Sequence, residues 1–153
     1  MATLLNINGG LDTYERYKMP KMEVRHNEGR KRTYVTNLPK ICESLNRELD
    51  FLKVYIKKKL STSVTWKKKQ EELEIGGIYK VDNLQGILQD LIREYVLCLE
   101  CNNPETKLRL RSNGKSLSMK CAACGKKSYI MGKDTAFDGI LKLFKSKSKK
   151  KKN

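Results

Sequence analysis

The sequence predicts an α+β fold in which a small α/β module precedes a ribbon held by four cysteines and a disordered basic tail. Two Cys-x-x-Cys pairs, at 98–101 and 121–124, have nineteen residues between them, a spacing typical of small metal-bound ribbons. Before them, short stretches rich in β-branched residues alternate with segments whose apolar residues repeat at helical spacing. After them, the chain ends in a lysine run that is expected to be disordered.

The four cysteines can hold one structural zinc ion. Each pair makes a tight knuckle, so Cys98, Cys101, Cys121 and Cys124 are expected to surround Zn²⁺ tetrahedrally. The alternatives are two disulfides, or four reduced thiols that happen to be paired. Four sulfur ligands leave zinc no open coordination position, so the ion is expected to stabilise the fold and not to perform chemistry. Function must therefore be sought elsewhere in the chain.

Length and composition set further bounds. The 153 residues, of which 39% are hydrophobic, fit one domain or two small ones, and we expect two compact modules. No apolar run approaches the roughly 18 residues of a membrane span, and the N-terminus lacks a signal-peptide pattern, so a soluble, unexported chain with no membrane partner is expected. Cys42 stays unpaired, which favours a reducing compartment. The cytoplasm is expected, and the nucleus is left open.

The charge of the chain indicates a polyanionic partner. Thirty-three Lys and Arg residues against seventeen Asp and Glu residues give a formal net charge of +16. Seven of these lysines lie between Lys142 and Lys152, and the chain without them still carries about +9. Such a field attracts nucleic acid or a ribonucleoprotein, although part of the excess can simply be a solubilising tail.

The first part of the chain predicts an arm and a basic hairpin. Residues 1–20 show no sustained period, which predicts a flexible basic arm. Residues 22–25 and 32–36 alternate or carry β-branched and aromatic side chains around a turn-forming sequence at 27–30. They predict a β-hairpin with a basic tip, where the single histidine, His26, is expected to be a surface side chain.

The α/β module is expected to occupy residues 21–96 and to contain three helices and a second hairpin. Asn37, Asp50 and Asn83 are expected to cap the helices. Strands are expected at 63–66, 73–75 and 78–81, with Gly76-Gly77 turning the second into the third. The inward faces of the helices are expected to carry Leu38, Ile41, Leu45, Leu49, Leu52, Tyr55, Ile56, Leu84, Ile87, Leu88, Leu91, Ile92 and Tyr95.

The ribbon is expected at 97–131. Strands at 107–111 and 116–120 would connect the two knuckles, and a ribbon this small is expected to need its metal to fold. Residues 132–153 are expected to form one short amphipathic helix around Phe137–Phe144 and a lysine-rich tail, disordered from residue 146.

Three motifs identify a family when they are taken together. They are Leu-Asn-Arg at 45–47, Cys-x-x-Cys-x-x-Pro-x-Thr at 98–106 and Cys-x-x-Cys-Gly at 121–125. With the basic hairpin, they resemble the α/β-plus-zinc-ribbon module shared by eukaryotic translation initiation factor 5 and the beta subunit of initiation factor 2. The resemblance covers about residues 12–131 and implies the fold predicted above.

The arm favours the factor 5 branch of this family. Its Arg-Tyr-Lys-Met-Pro sequence at 16–20 is similar to the start of initiation factor 5, whose arginine is required for its GTPase-activating effect on initiation factor 2. The Asn-Pro-Glu-Thr sequence at 103–106 also matches factor 5 better. The resemblance therefore implies that Arg16 supplies a catalytic arginine in trans and that the chain is a GTPase-activating protein, not itself an enzyme. Whether Arg16 enters the partner's site or only orders it is left open.

The resemblance also implies the partners. They are the gamma subunit of initiation factor 2 with its GTP, the initiator tRNA and the rRNA of the small ribosomal subunit, and the chain is expected to be a monomer. Arg32 stands where the family usually has lysine, and Lys53 lies one residue from a family lysine position that Val54 occupies. The residues expected to contact nucleic acid are Lys18, Lys21, Arg25, Arg30, Lys31, Arg32 and Lys53.

Two hypotheses of different classes follow. The first is a regulator of start-codon selection that stimulates GTP hydrolysis on the preinitiation complex. The second is a noncatalytic ribosome- or RNA-binding module that resembles the beta subunit. A generic zinc-ribbon nucleic-acid binder leaves the arm at 16–20 unexplained. Initiation factor 5 continues into a helical-repeat domain, so the chain is expected to be a truncated homologue.

Overall fold

The computed structural model describes residues 4–10, 14, 17–130, 132 and 135–151. Over these ranges the chain forms nine strands and four helices. In order they are β1 (Leu4–Asn6), β2 (Lys18–Pro20), β3 (Val24–Asn27), β4 (Arg32–Val35), α1 (Leu38–Leu45), α2 (Leu49–Leu60), β5 (Val64–Lys67), β6 (Glu72–Gly76), α3 (Val81–Tyr95), β7 (Thr106–Leu110), β8 (Leu117–Cys121), β9 (Lys127–Ile130) and α4 (Thr135–Lys151). The predicted α+β class is confirmed.

A four-stranded antiparallel sheet, in the order β3-β4-β6-β5, forms the centre of the α/β module. The predicted basic hairpin is confirmed as β3 and β4, which pair from Val24↔Val35 to Asn27↔Arg32. β6 lies between β4 and β5 and pairs with both. The hairpin turn at 28–31 therefore lies at one end of this sheet.

The helices bury the apolar faces that their spacing predicted. The aromatic rings of Phe51 and Tyr95 meet edge to face with centroids 5.7 Å apart, and Tyr55 meets Tyr95 in the same way at 5.9 Å. Such pairs add about 0.5–1.5 kcal/mol to the burial of their area. The core side chains of α1 to α3 are Leu38, Ile41, Cys42, Leu45, Phe51, Leu52, Tyr55, Ile56, Leu84, Leu88, Leu91, Ile92 and Tyr95, while Leu49 and Ile87, also predicted to face inward, are only partly buried.

The predicted helix caps are wrong in detail. Asn37 precedes α1 as expected, but its side chain accepts a hydrogen bond from the Glu23 N–H (2.9 Å) and donates to the Lys21 carbonyl (2.8 Å). Asp50 and Asn83 lie inside α2 and α3, because each helix begins earlier than expected. Asn37 thus joins the segment before β3 to α1, a tertiary role that outweighs local capping.

The strand expected at 78–81 does not form. The Thr33 hydroxyl donates to the Gly77 carbonyl (2.8 Å) and accepts from the Tyr79 N–H (3.0 Å), so it holds this segment beside β4. Gly77 has a φ of 109°, which glycine adopts easily and which turns the chain after β6. The second hairpin is therefore β5 and β6, and the chain passes from Gly77 directly into α3.

The N-terminal residues that the structure describes are not a free arm. β1 and β2 pair antiparallel from Leu4↔Pro20 to Asn6↔Lys18. Ile7 and Met19 are 1% and 0% exposed and belong to the main core. The two strands have three residues each, too few to show a period in the sequence, and their burial comes from packing against the module.

The C-terminal part also differs from the prediction. The ribbon has a third strand, β9, that pairs with β8. The last helix is longer than expected, since α4 continues to Lys151 where disorder was predicted from residue 146. Ala136, Phe137 and Ile140 bury its first half, and lysine is a good helix former, so the helix can propagate into the lysine run.

The ribbon and the α/β module share one hydrophobic core. Leu117 of β8 and Phe137 of α4 lie in the same buried cluster as the helices α1 to α3. The boundary expected at residue 97 therefore divides the helices and strands of the module from the strands of the ribbon, but both parts belong to one core. None of the helices in the described ranges is long and apolar enough to cross a membrane.

Candidate metal centre and basic surfaces

The four cysteines lie on two knuckles with the same backbone geometry. In the first, the Asn102 N–H donates to the Cys98 carbonyl (2.9 Å); in the second, the Gly125 N–H donates to the Cys121 carbonyl (3.0 Å). Asn102 and Gly125 have φ values of 60° and 76°, the left-handed conformation that asparagine and glycine tolerate best. Each turn brings its two sulfurs to the same side of the chain.

The sulfur atoms form a compact cluster. All four Sγ atoms lie within 4.8 Å of one another, and the Cys98–Cys124 and Cys101–Cys121 sulfur pairs are 3.6 Å apart. A tetrahedron with metal–sulfur bonds of about 2.3 Å has edges of about 3.8 Å. A disulfide needs a sulfur–sulfur distance of about 2.05 Å. The geometry therefore fits one tetrahedral cation and differs from the disulfide alternative.

The surroundings of Cys98 favour its thiolate form. Burial raises the pKa of this thiol, but hydrogen bonds from the backbone N–H groups of Cys101 and Glu100, together with those from the Cys124 and Cys101 side chains, outweigh burial and lower the pKa to about 7. A thiolate is the form that binds a cation. Cys98 and Cys121 are buried while Cys101 and Cys124 are exposed, so the site lies at the surface with one side closed by the fold.

Arg47 joins the cysteine ribbon to the helices. Its Nη1 donates to the Thr106 carbonyl (2.9 Å), and its Nη2 donates to the Tyr95 carbonyl (2.8 Å) and the Thr106 hydroxyl (2.8 Å). The Thr106 hydroxyl in turn donates to the Val96 carbonyl. Arg47 therefore ties the corner between α1 and α2 to the end of α3 and the start of β7.

The position of Arg47 is unusual for an arginine. Burial lowers its pKa to about 10, and its Nε has no hydrogen-bond partner in the described part of the chain. Its charge faces the carbonyls at the C-terminal end of α3, where the helix dipole favours a cation. The motifs at 45–47 and 98–106 contain both Arg47 and Thr106, but sequence reasoning assigned no role to either residue.

The hairpin residue Arg25 is partly engaged within the protein. Its guanidinium forms an ion pair with Glu72 (2.8 Å) and lies 4.2 Å from the centroid of the Tyr34 ring. The Tyr34 hydroxyl donates to Glu74 (2.8 Å), and this hydrogen bond is the main cause of the raised pKa of Tyr34. An anion that binds Arg25 must therefore compete with an internal carboxylate.

The tip of the hairpin presents the remaining charge. Arg30 and Lys31 are exposed in the turn, whereas the Arg32 guanidinium folds back and donates to the carbonyls of both residues (3.3 and 3.1 Å). Arg25 and Arg30 line a hollow of about 220 Å³ together with Lys67. The structure thus brings four of the predicted nucleic-acid contacts, Arg25, Arg30, Lys31 and Arg32, around one hairpin.

The other predicted residues lie on different elements. Lys18 is in β2, Lys21 follows that strand, and Lys53 is on α2. Arg16, the predicted catalytic arginine, lies outside the described residues. The neighbouring Tyr17 accepts a hydrogen bond from the Ile7 N–H at its carbonyl (3.1 Å), and its hydroxyl donates to the Glu105 carboxylate beside the first knuckle. The residue after Arg16 is therefore fixed against the ribbon.

Comparison with known proteins gives a consistent result. Residues 8–127 match the sequence model of the domain found in initiation factors 2B and 5. The chain is 31% identical over 147 residues to eukaryotic translation initiation factor 5 of Drosophila melanogaster, covering 94% of this chain and 29% of that protein. The chain is 34% identical over 125 residues to the factor 5 of Caenorhabditis elegans, covering 79% of this chain and 28% of that protein.

A plant relative has a similar identity and coverage. The chain is 34% identical over 144 residues to eukaryotic translation initiation factor 5 of Phaseolus vulgaris, covering 91% of this chain and 32% of that protein. The chain thus spans about 30% of the length of these curated relatives.

Proposed function

Because the chain belongs to the family of the domain found in initiation factors 2B and 5, we propose that it is a translation initiation factor that acts in start-codon selection. It stimulates GTP hydrolysis by initiation factor 2 on the preinitiation complex and is not itself an enzyme. The observation that carries this proposal is the extent of the family match, which runs from residue 8 to residue 127 and so includes Arg16 and all four cysteines. Its place of action is the cytoplasm.

Arg16 is the proposed source of the stimulation. GTP hydrolysis develops negative charge on phosphate oxygens in the transition state, and an arginine supplied in trans accelerates the reaction by about 10³- to 10⁵-fold. The contacts of Tyr17 with Ile7 and Glu105 fix the residue next to Arg16. Arg16 therefore loses less conformational entropy when it binds the partner. The partner for this step is the GTP-bound gamma subunit of initiation factor 2.

The metal in this proposal is one structural Zn²⁺. Cys98, Cys101, Cys121 and Cys124 supply four sulfurs at the right separations, and four sulfur ligands are typical of structural zinc. The ion closes the two knuckles and thereby fixes Glu105 and Thr106, which contact Tyr17 and Arg47. Zinc thus stabilises the surface next to the arm and takes no part in hydrolysis.

The basic hairpin is proposed to contact RNA on the small ribosomal subunit. Arg30 and Lys31 are exposed at its tip, and their charge suits the phosphates of initiator tRNA or rRNA. Arg32 shapes the turn through its hydrogen bonds to the two carbonyls. The protein acts as a monomer in this proposal.

GTP hydrolysis in reconstituted preinitiation complexes tests the role of Arg16. We expect the wild-type chain to stimulate hydrolysis and Arg16→Ala to lose most of the stimulation, by about 10³-fold if the arginine enters the transition state. Arg93→Ala is the matched control, since it removes an exposed guanidinium that pairs with Asp90 on α3, away from the arm. Full stimulation by Arg16→Ala, or none by the wild type, contradicts the proposal.

The second candidate is a noncatalytic RNA-binding module. The observation that favours it is the exposed basic tip of the hairpin, which needs no arginine on the arm. This function predicts ribosome binding that survives Arg16→Ala and weakens when Arg30 and Lys31 are both changed to glutamine or when salt is raised. Hydrolysis and binding measured on the same variants separate the two candidates.

A further inference from the structure

The outer face of the ribbon sheet carries a dense basic and aromatic surface. In the register of the three strands, Lys107, Lys120 and Lys127 lie opposite one another in one row. Arg109, Ser118 and Tyr129 form the next row, two residues along. We call these six residues the ribbon face. Its members alternate with side chains that turn inward, among them the buried Leu117 and Met119.

The charge on this surface is of one sign. Between Thr106 and Ile130 the chain contains seven Lys and Arg residues and no Asp or Glu residue. The four cations of the ribbon face, Lys107, Arg109, Lys120 and Lys127, are all exposed. Neighbouring strands are about 4.8 Å apart, so the three lysines of one row lie within about 10 Å of one another. An anion that binds over this row would interact with all three lysines at once.

A cleft continues the ribbon face toward the module. It has a volume of about 790 Å³ and is bordered by Ser44 and Asn46 at the end of α1 and by Tyr17 beside the arm. Among the described residues that line it, Glu105 is the single acid, and its carboxylate accepts the hydrogen bond of Tyr17. The cleft is therefore a basic channel with polar groups on its opposite wall.

Tyr129 adds a stacking surface at the edge of the ribbon face. Its side chain is 52% exposed, and the Arg111 guanidinium lies 4.1 Å from its ring centroid. Lys127 lies 5.9 Å from the same centroid. An exposed ring beside a guanidinium is a platform on which an unpaired nucleobase can stack.

We propose that the ribbon face binds single-stranded RNA, with phosphates over the lysine row and a base stacked at Tyr129. An acidic peptide would satisfy the charges but offers no base for the aromatic platform. An RNA duplex would satisfy the charges but keeps its bases stacked within the helix. This surface is distinct from the hairpin tip, and the proposal holds whether or not Arg16 stimulates GTP hydrolysis.

Fluorescence anisotropy with a fluorescein-labelled single-stranded RNA of about 12 nucleotides tests the proposal, since single-strand binding surfaces cover about 4–16 nucleotides. The test variant changes Lys107, Lys120 and Lys127 to glutamine. The control changes Lys57, Lys58 and Lys59, in the last turn of α2, to glutamine and so removes the same charge elsewhere. We expect binding at least about 10-fold weaker for the test variant and within about 2-fold of wild type for the control.

Salt dependence and Tyr129 give independent readouts. The slope of log affinity against log salt should fall by about 2 for the test variant, because three phosphate contacts contribute about 0.7 each on a single strand. Tyr129→Leu should weaken single-stranded RNA binding by about 10-fold and leave duplex RNA binding unchanged. Zinc content measured on every variant shows that the ribbon remains folded.

Three results overturn the proposal. They are equal losses for the test and control triple variants, an unchanged salt slope, and binding of duplex RNA or polyglutamate as tight as binding of the single strand. Retention of wild-type affinity by Tyr129→Leu overturns the stacking contact specifically.

Discussion

At the scale of single residues, Arg47 links three distant segments of the molecule. It is a largely buried cation that four protein oxygens, the Asn46 and Tyr95 carbonyls and the carbonyl and hydroxyl of Thr106, surround at hydrogen-bond distance. A buried charge is tolerated only where such partners replace water. Removal of the guanidinium would leave these oxygens without their hydrogen-bond donors.

Arg47→Met is therefore expected to destabilise the protein by about 2–4 kcal/mol, because it leaves buried carbonyls without donors. Arg47→Lys should recover only part of this loss. The ammonium of lysine lacks the planar fork of the guanidinium and cannot bond both the Tyr95 carbonyl and Thr106. Urea unfolding with saturating zinc measures the change. Arg93→Met, which removes an exposed guanidinium, should cost less than about 1 kcal/mol. An Arg47→Met protein as stable as wild type contradicts the role of Arg47.

At the scale of elements, the sequence was a good guide wherever a pattern was long enough to repeat. The hairpin of β3 and β4, the apolar faces of α1 to α3 and the two knuckles all follow from local spacing. β1, β2 and β9 have only three or four residues, so their pairing depends on tertiary contacts that no local period reveals. The sulfur cluster could be predicted from spacing, whereas the Arg47 contacts could not, because they join three distant segments.

The β1–β2 pair makes a testable difference to stability. Met19 is fully buried, so Met19→Ala should cost about 2–5 kcal/mol through lost burial and the cavity that remains. Leu4→Ala is the control within the same strand pair, because Leu4 is 60% exposed and its loss should change stability by less than about 0.5 kcal/mol. Urea unfolding measures both. If these residues formed a free arm, neither substitution would change the free energy of unfolding.

At the scale of the whole molecule, the ribbon and the module are coupled. Leu117 of the ribbon lies fully buried in the core that α1 to α3 share, and Arg47 and Thr106 cross the same boundary. Loss of metal should therefore lower the stability of the α/β module as well as that of the two knuckles. Among the described residues, the hairpin tip and the ribbon face both expose positive charge, which suits a role in binding RNA.

Metal removal tests this coupling. Cys98→Ser is expected to lose zinc, to lose hydrogen-exchange protection throughout β7 to β9, and to lower the unfolding midpoint of the α/β module as well. Cys42→Ser, which changes a buried cysteine outside the cluster, should keep one zinc per chain. A Cys98→Ser protein that is active and free of zinc contradicts a structural metal, and a module of unchanged stability contradicts the coupling.

In the proposed function, the metal and Arg47 build the scaffold while Arg16 supplies the stimulation. The most direct measurement is the single-turnover rate of GTP hydrolysis in reconstituted preinitiation complexes containing Arg16→Ala protein whose zinc content and unfolding midpoint equal those of wild type. The predicted result is a folded, zinc-loaded protein that has lost the stimulation. A folded, zinc-loaded Arg16→Ala protein that stimulates hydrolysis as fast as wild type contradicts the claim.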